Sequence, residues 1–268
     1  MNVGVASTDS QTVQCRLYAC LACTPIPHLD QLNAWVATLP HPAILGGNTA
    51  RSPHHRYSYW AACPREIVSC TPDEPAPLTI ISYLFQRYRV AEGTSVTLPP
   101  HLFKGGWIGY FGYELGRHFE NLPAGTRDDL FWPLFRLGFY DKIIAYDHEE
   151  AVFWLLALHC EGDTASGREK LGQLQEWVNQ ASRCPVPEWA DIAIPAIEPA
   201  TLQSNMSQAD YRAAVERILD YIRDGETYQI NLSQRFRCPF SADPARLFHW
   251  QNRFNPSPFA AYLAWSDA

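Results

Sequence analysis

The chain has 268 residues, of which 47% are hydrophobic, 13% aromatic and 18% charged, a composition typical of globular domains and not of disordered or fibrous proteins. Its formal net charge of −7 argues against nucleic-acid binding, which needs a basic surface to displace counterions. The first residues lack the basic and apolar regions of a signal peptide, and no apolar run reaches the roughly eighteen residues of a membrane-spanning helix. We therefore expect a cytoplasmic protein that binds neither nucleic acid nor membranes.

Hydrophobic periodicity predicts the elements of the first two thirds of the chain. In chain order, we predict a strand over 14–24, a helix over 28–39, strands over 43–45 and 57–62, a helix over 78–88, strands over 131–140, 142–147 and 151–159, and a helix over 164–181. The segment 183–206 contains four prolines and has no sustained period, which predicts a linker. It follows an amino-terminal domain, residues 1–182.

A second domain is predicted over 207–268. Ser207 and Asp210 have the spacing of a capping box at the start of a helix. Gly225 is a suitable left-handed cap for the end of that helix. From Tyr228 to Phe236 apolar and polar residues alternate, which predicts a half-buried strand. Its polar row faces either solvent or, as we favour, another part of the protein or a pocket.

The last predicted elements are a helix over 244–254 and an apolar strand over 259–265, followed by Ser-Asp-Ala. A strand followed by Ser-Asp is typical of the start of a hairpin, yet no return strand follows. We therefore expect the second domain to be incomplete and the chain to be a fragment. The alternative is that this strand pairs with an earlier one and the chain ends there.

Eight cysteines occur, and in a reducing compartment we expect them to be reduced and buried. Cys15, Cys20 and Cys23 have the C-x4-C-x2-C spacing of plant-type iron–sulfur proteins. The segment around them is apolar and typical of a strand, with no glycine to wrap the backbone around a cluster. The sequence thus favours buried thiols over a cluster.

The segment GGWIGYFGYELGRHFE contains five glycines among aromatic residues. It lacks the spacing of a dinucleotide or phosphate loop, so we favour tight turns and close backbone approach over ligand contact. Glu114 and Arg117 are spaced to pair on a helix. The adjacent His54 and His55 do not have the spacing of a zinc site. From motifs alone we predict no catalytic residue, no cofactor site and no metal site in this chain.

Four stretches resemble, in order and spacing, component I of aminodeoxychorismate synthase in the chorismate-utilising family, which also contains anthranilate synthase component I. They are RYSYWAACP, GGWIGYFGYELGRHFE, YRAAVERILDYIRDGETYQINLSQRF and NPSPFAAYL. Asn231 in YQINLSQRF is more similar to the aminodeoxychorismate branch, and the anthranilate branch stays open. The resemblance implies an α+β fold, the amino-terminal part of the anthranilate synthase component I-like fold, with mixed and antiparallel sheets packed with helices.

The resemblance also implies a function for the intact protein: amination of chorismate to 4-amino-4-deoxychorismate for 4-aminobenzoate and folate biosynthesis. It implies Mg²⁺ as cofactor and a glutamine amidotransferase, as subunit or fused domain, as the source of ammonia. The family's metal ligands and catalytic carboxylates follow the NPSPF strand. Lys104, Lys142 and Lys170, the last expected on a surface helix, lie outside the family's lysine motif. We therefore expect the chain alone to be inactive. The alternatives are a fragment of anthranilate synthase component I and a non-catalytic module that binds an amino acid or the glutaminase.

In relatives, a pocket between an early strand and the NPSP loop binds tryptophan. Carried over by resemblance, this pocket would involve Gly47, His54, His55, Arg56, Tyr57, Pro258, Phe259 and Ala260. Aromatic and proline faces suit an indole, and Arg56 suits a carboxylate. Relatives have a serine where this chain has Leu-Gly-Gly-Asn at 45–48, so one hydroxyl partner is missing. The alternative is that Arg56 and Tyr57 only pack beneath the NPSP loop.

Overall fold

The structure is a computed structural model that describes residues 12–48, 56–91, 96–121, 128–186, 198 and 201–265. Within these ranges the strands are β1 (Val13–Leu21), β2 (Ala43–Leu45), β3 (Tyr57–Ala61), β4 (Glu66–Cys70), β5 (Tyr88–Ala91), β6 (Gly106–Phe111), β7 (Phe135–Tyr140), β8 (Lys142–Asp147), β9 (Val152–Cys160), β10 (Gln203–Ser204), β11 (Phe236–Arg237) and β12 (Ala261–Leu263). The helices are α1 (Leu29–Val36), α2 (Pro77–Arg87), α3 (Gly167–Arg183), α4 (Gln208–Arg223) and α5 (Pro244–Phe254), with a short 3-10 helix at Tyr113–His118.

The chain divides into two units, one formed by Met1–Glu188 with Phe248–Ala268 and the other by Trp189–Leu247. This division differs from the predicted domains 1–182 and 207–268, because the end of the chain joins the first unit. Strand β12 pairs antiparallel with β2, with Ala261 opposite Leu45. Most of the predicted linker 183–206 lies outside the described residues.

The first unit is built on a seven-stranded sheet in the order β12-β2-β3-β8-β9-β1-β5. Neighbouring strands are antiparallel except β1 and β5, which are parallel. One face packs on a three-stranded antiparallel sheet, β4-β7-β6, and the other on α1 and α3. Alternation divides each strand between these faces: on β8, Ile143 belongs to the core beneath the small sheet and Ile144 to the core beneath the helices.

The two helices on this sheet begin where the sequence supplies caps. Ser166 caps α3 by accepting the N–H of Glu169, whose carboxylate accepts the N–H of Ser166. One face of α3 is apolar and buried, but it also carries Lys170, which is only 5% exposed. The expectation of a surface lysine is therefore wrong. Its ammonium group donates to Asp141, Asp163 and the carbonyl oxygen of Leu158.

The glycine-rich segment forms β6, which the sequence analysis did not assign. Gly109 stands opposite Leu137 on β7, and a Cβ at this position would lie 1.9 Å from the carbonyl oxygen of Arg136. Glycine is needed here because the strands approach closely, in line with the packing interpretation. Glu114 and Arg117 form the expected ion pair, on the 3-10 helix.

The second unit contains α4, which begins at the predicted capping box and ends before Gly225 with a φ of +77°. The strand predicted from Tyr228 to Phe236 is wrong: within the described residues only Phe236 and Arg237 pair, with β10. Tyr228 is fully exposed, and no residue of α4 is buried. Alternation predicts two unlike faces, but a strand also needs a neighbour to pair with.

The cysteines do not all follow the expectation of reduced, buried thiols. Cys15 on β1 and Cys160 on β9 stand directly opposite each other and form a disulfide, while Cys23 is exposed. Cys15 is therefore not free to act as a third ligand beside Cys20 and Cys23. Within the described ranges, none of the helices combines the length and hydropathy needed to span a bilayer.

Candidate functional site

A cavity of about 570 Å³ opens at the end of the seven-stranded sheet where β2, β3 and the segment before β12 meet. We call it the aromatic cavity, because half of its lining residues are prolines or carry a ring. Its lining residues are Leu45, Gly46, Arg56, Tyr57, Tyr59, Pro100, His101, Glu149, Pro258, Phe259, Ala260 and Ala261.

Strand β3 places two of these rings. Tyr57 and Tyr59 are two residues apart and so lie on the same face of the strand. The hydroxyl of Tyr57 donates to the carbonyl oxygen of Pro100 at 3.0 Å, and the hydroxyl oxygen of Tyr59 accepts the N–H of Phe103 at 3.1 Å. Burial raises the pKa of Tyr59 to about 12, so its hydroxyl stays protonated at neutral pH.

The opposite wall comes from the segment before β12. The N–H of Gly46 donates to the carbonyl oxygen of Ala260 at 2.7 Å, which extends the pairing of β2 with β12. This bond holds Pro258 and Phe259 beside β3, although they follow it by about two hundred residues in the sequence. Phe259 is largely exposed, so its ring forms an open side of the cavity.

Arg56 lies in the cavity wall but is already held by two carboxylates. Its Nε lies 3.2 Å and its Nη2 2.8 Å from carboxylate oxygens of Asp147, and its Nη1 lies 2.8 Å from Glu149. The side chain of Asp147 is fully buried, whereas that of Glu149 is 64% exposed. A carboxylate of a ligand would therefore compete with these two acids for the N–H donors of Arg56, and its binding there stays a prediction.

The pKa of Asp147 reflects this arrangement. Burial raises the pKa, but the hydrogen bonds from Arg56 and from the backbone N–H groups of Glu149 and Glu150 more than offset burial, and the pKa lies below its ordinary value. The hydrogen bond to Asp147 in turn raises the pKa of Arg56. Arg56 and Asp147 therefore stabilise each other's charged forms.

Gly47 does not line the aromatic cavity. Its φ is +70°, and its N–H donates to the hydroxyl oxygen of Ser58 at 2.9 Å. Its carbonyl oxygen accepts a hydrogen bond from the Nδ2 of Asn33 at 2.7 Å. A Cβ here would lie 2.6 Å from the Oδ1 of Asn33, so a serine at this position would require Asn33 to move. Gly47 and Asn48 instead line a second cavity of about 450 Å³ beside α1 and α5.

Of the residues predicted for the pocket, Arg56, Tyr57, Pro258, Phe259 and Ala260 line the aromatic cavity, and Gly47 lines the second one. His54 and His55 lie outside the described residues.

The sequence analysis missed Tyr59, Pro100, His101 and Glu149, and the buried Asp147 that pairs with Arg56. Tyr59 could have been predicted, because it stands two residues after Tyr57 on the same predicted strand. No local signal existed for Asp147, which is 91 residues from Arg56. Within the described part of the chain, no group of three or more His, Cys, Asp or Glu side chains could hold a metal ion.

Residues 47–268 match the family of chorismate binding enzymes. Aminodeoxychorismate synthase component 1 of Escherichia coli (strain K12) is 30% identical over 187 residues, which are 70% of this chain and 37% of that protein. The protein of the same name from Bacillus subtilis (strain 168) is 32% identical over 171 residues, 62% of this chain and 34% of that protein. Anthranilate synthase component 1 of Acetivibrio thermocellus is 29% identical over 195 residues, 71% and 39% of the two chains.

A solved structure, that of anthranilate synthase component I from Streptococcus pneumoniae TIGR4, has a TM-score of 0.55 and 22% identity. The similarity covers 78% of this chain and 47% of that one and confirms the predicted fold class. The matched regions thus span less than half the length of these relatives.

Proposed function

The chain belongs to the family of chorismate binding enzymes, and we propose that it forms the amino-terminal part of an aminodeoxychorismate synthase component I. In a protein of the family's full length, it would contribute to the amination of chorismate to 4-amino-4-deoxychorismate. The observation that carries this proposal is the similarity to two proteins of that name at 30% and 32% identity. Anthranilate synthase component 1 at 29% identity supports the second candidate.

The exposed apolar face of α4 supports the view that more protein covers the second unit. Leu219 and Ile222 are each about 40% exposed, and no residue of α4 is buried. An amphipathic helix gains most of its stability by burying its apolar side. We propose that the remaining length of the family fold covers this face and supplies the catalytic groups.

Two further parts of the proposal concern a partner and a metal. The relatives are named as component 1, which implies a second component, and we propose a glutamine amidotransferase that supplies ammonia. The family resemblance implies Mg²⁺, but the described residues do not bring together a set of acidic side chains that fits it.

The aromatic cavity is the site in this chain that we assign to a small regulatory or structural ligand. Tyr57, Tyr59 and Phe259 offer faces for a flat ring, as the tryptophan pocket of relatives would require. The engagement of Arg56 by Asp147 and Glu149 weakens the case for tryptophan itself, because the ligand's carboxylate would meet an acidic surrounding.

A chimera tests the proposed activity. Residues 1–268 are joined to the remaining part of the Escherichia coli relative, and the product is assayed with chorismate, Mg²⁺ and ammonium, with the unfused chain as control. We expect 4-amino-4-deoxychorismate from the chimera and none from the chain alone. Anthranilate and pyruvate would instead establish the second candidate. A folded chimera without either product, or turnover by the chain alone, would contradict the proposal.

A further inference from the structure

Cys15 and Cys160 form a covalent link across two neighbouring strands of the seven-stranded sheet. They stand opposite each other on β1 and β9, in the core beneath the small sheet with Leu17 and Leu158. Their side chains are 2% and 0% exposed, and the other six cysteines are free thiols. The register of two strands, rather than spacing along the chain, therefore selects this one pair.

The link lies where it can hold one edge of the sheet. Strand β1 lies between β9 and β5, and among the described strands β5, which forms the edge, pairs with β1 alone. If β1 separates from β9, β5 leaves the sheet with it. Cys15 is also only two residues after the first residue of β1, where a strand end opens most easily.

The other half of the link is attached to a well-held part of the first unit. The N–H of Cys160 donates to the carboxylate of Asp163 at 2.7 Å, and the N–H of Asp163 donates to the carbonyl oxygen of Cys160 at 3.0 Å. Asp163 in turn accepts from the buried ammonium group of Lys170. The disulfide thus ties an edge of the sheet to the buried charge cluster, and it closes a loop with a sequence separation of 145 residues. A link across a long loop removes much conformational freedom from the unfolded chain.

We propose that Cys15 and Cys160 act as a redox-controlled lock: the disulfide holds β1 and β5 on β9, and its reduction lets this edge of the sheet open. This inference does not depend on the proposed function. Because both sulfurs are buried, their reaction with a small molecule in either direction requires β1 to separate from β9 first.

The oxidant that closes the lock is a small disulfide such as oxidised glutathione. One cysteine thiolate attacks a sulfur of the small disulfide and expels one small thiolate. The second cysteine thiolate then attacks the protein sulfur of the mixed disulfide and expels the other. The two cysteines are oxidised by two electrons, the small disulfide is reduced to two thiols, and these take up the two protons that the cysteines lose.

Peptide mapping of the 268-residue chain tests the pairing. The chain is treated with oxidised glutathione, its free thiols are alkylated without reductant, and it is digested with trypsin. Cleavage after Arg16, Lys142 and Arg168 places Cys15 in peptide 1–16 and Cys160 in peptide 143–168, whereas Cys20 and Cys23 lie together in peptide 17–51. We expect 1–16 and 143–168 to be joined by a disulfide and to separate on reduction. The absence of this joined species would overturn the inference.

Unfolding and hydrogen exchange test the lock. We expect the oxidised chain to have a thermal midpoint about 5–15 °C above that of the chain in dithiothreitol. Reduction should speed amide exchange in β1 and β5 but not in α4, which belongs to the second unit. It should also be much slower in native buffer than in concentrated urea, since the sulfurs are buried.

Variants separate the lock from other effects of the reductant. Cys20→Ser is the matched control, because Cys20 is a free, half-buried thiol on the same strand, and it should keep the full response to dithiothreitol. Cys15→Ala with Cys160→Ala should lose that response. Equal midpoints for the oxidised and reduced wild-type chain would overturn the inference, as would unchanged exchange in β1 and β5 or equally fast reduction in native buffer and in urea. The wild-type measurements decide the matter even if the double variant does not fold.

Discussion

Lys170→Met should strongly destabilise the first unit, because it leaves two buried carboxylates without their shared cation. The Lys170 ammonium lies 2.5 Å from Asp141, 2.6 Å from Asp163 and 2.8 Å from the carbonyl oxygen of Leu158, and all three groups are more than 90% buried. Breaking a buried ion pair by removing one partner costs about 3–5 kcal/mol. Arg65 still pairs with Asp163, so we expect the lower end of this range, about 3 kcal/mol.

Urea unfolding followed by circular dichroism measures this loss as a shift of the midpoint by about 1 M, for a slope of about 3 kcal/mol per M. Lys142→Met is the matched control, because Lys142 is partly exposed and makes a cation–π contact with Trp177 and one hydrogen bond. It should cost about 1 kcal/mol or less. Adding Asp141→Asn to Lys170→Met should restore part of the stability, since it removes one uncompensated charge. A loss below about 1 kcal/mol for Lys170→Met would refute the reasoning.

Three further outcomes follow from single contacts. Gly109→Ala should prevent β6 from pairing with β7 and lower the free energy of unfolding by more than about 3 kcal/mol. Gly172→Ala in α3, where a Cβ has open space, should raise it by up to about 1 kcal/mol, and thermal unfolding distinguishes the two variants. Asn33→Ala should cost about 2–4 kcal/mol in denaturant unfolding, because the buried Nε1 of Trp60 loses its acceptor and the carbonyl oxygen of Gly47 loses its donor; a neutral result would contradict this. The folded-state pKa of Asp147 is depressed, so its stabilisation is present above the unfolded-state pKa of about 3.9 and is lost as the pH falls through the folded-state value. Unfolding between about pH 2 and pH 5 should therefore show a steeper acid limb for wild type than for Asp147→Asn, and identical limbs would contradict the shift.

Several elements could be predicted because their signal is local. Strands β2 and β8 and helix α5 lie at the predicted positions, and the capping box at Ser207 begins α4 as expected. Strand β4 was not assigned, because its apolar residues Ile67 and Val68 are adjacent and give no alternation. The alternation after Tyr228 was misinterpreted, because a pattern along one segment contains no information about whether a partner strand lies beside it.

In the candidate site, too, some features have a local signal in the sequence and others depend on which strands pair. The stretches RYSYWAACP and NPSPFAAYL were enough to predict that Arg56, Tyr57 and Phe259 belong together, and the cavity contains all three. The charge of that cavity could not be predicted in this way. Asp147 and Glu149 follow β8, and only the pairing of β3 with β8 brings Arg56 next to them.

The amino-acid sequence by itself determined the family, the fold class and five of the residues that line the aromatic cavity, since these depend on short patterns and their order. Only the tertiary structure decided what those groups can do. The behaviour of a charged side chain depends on every charge within a few ångströms, whatever its distance along the chain. Arg56, which suits a carboxylate when considered alone, lies between the carboxylates of Asp147 and Glu149 in the folded protein.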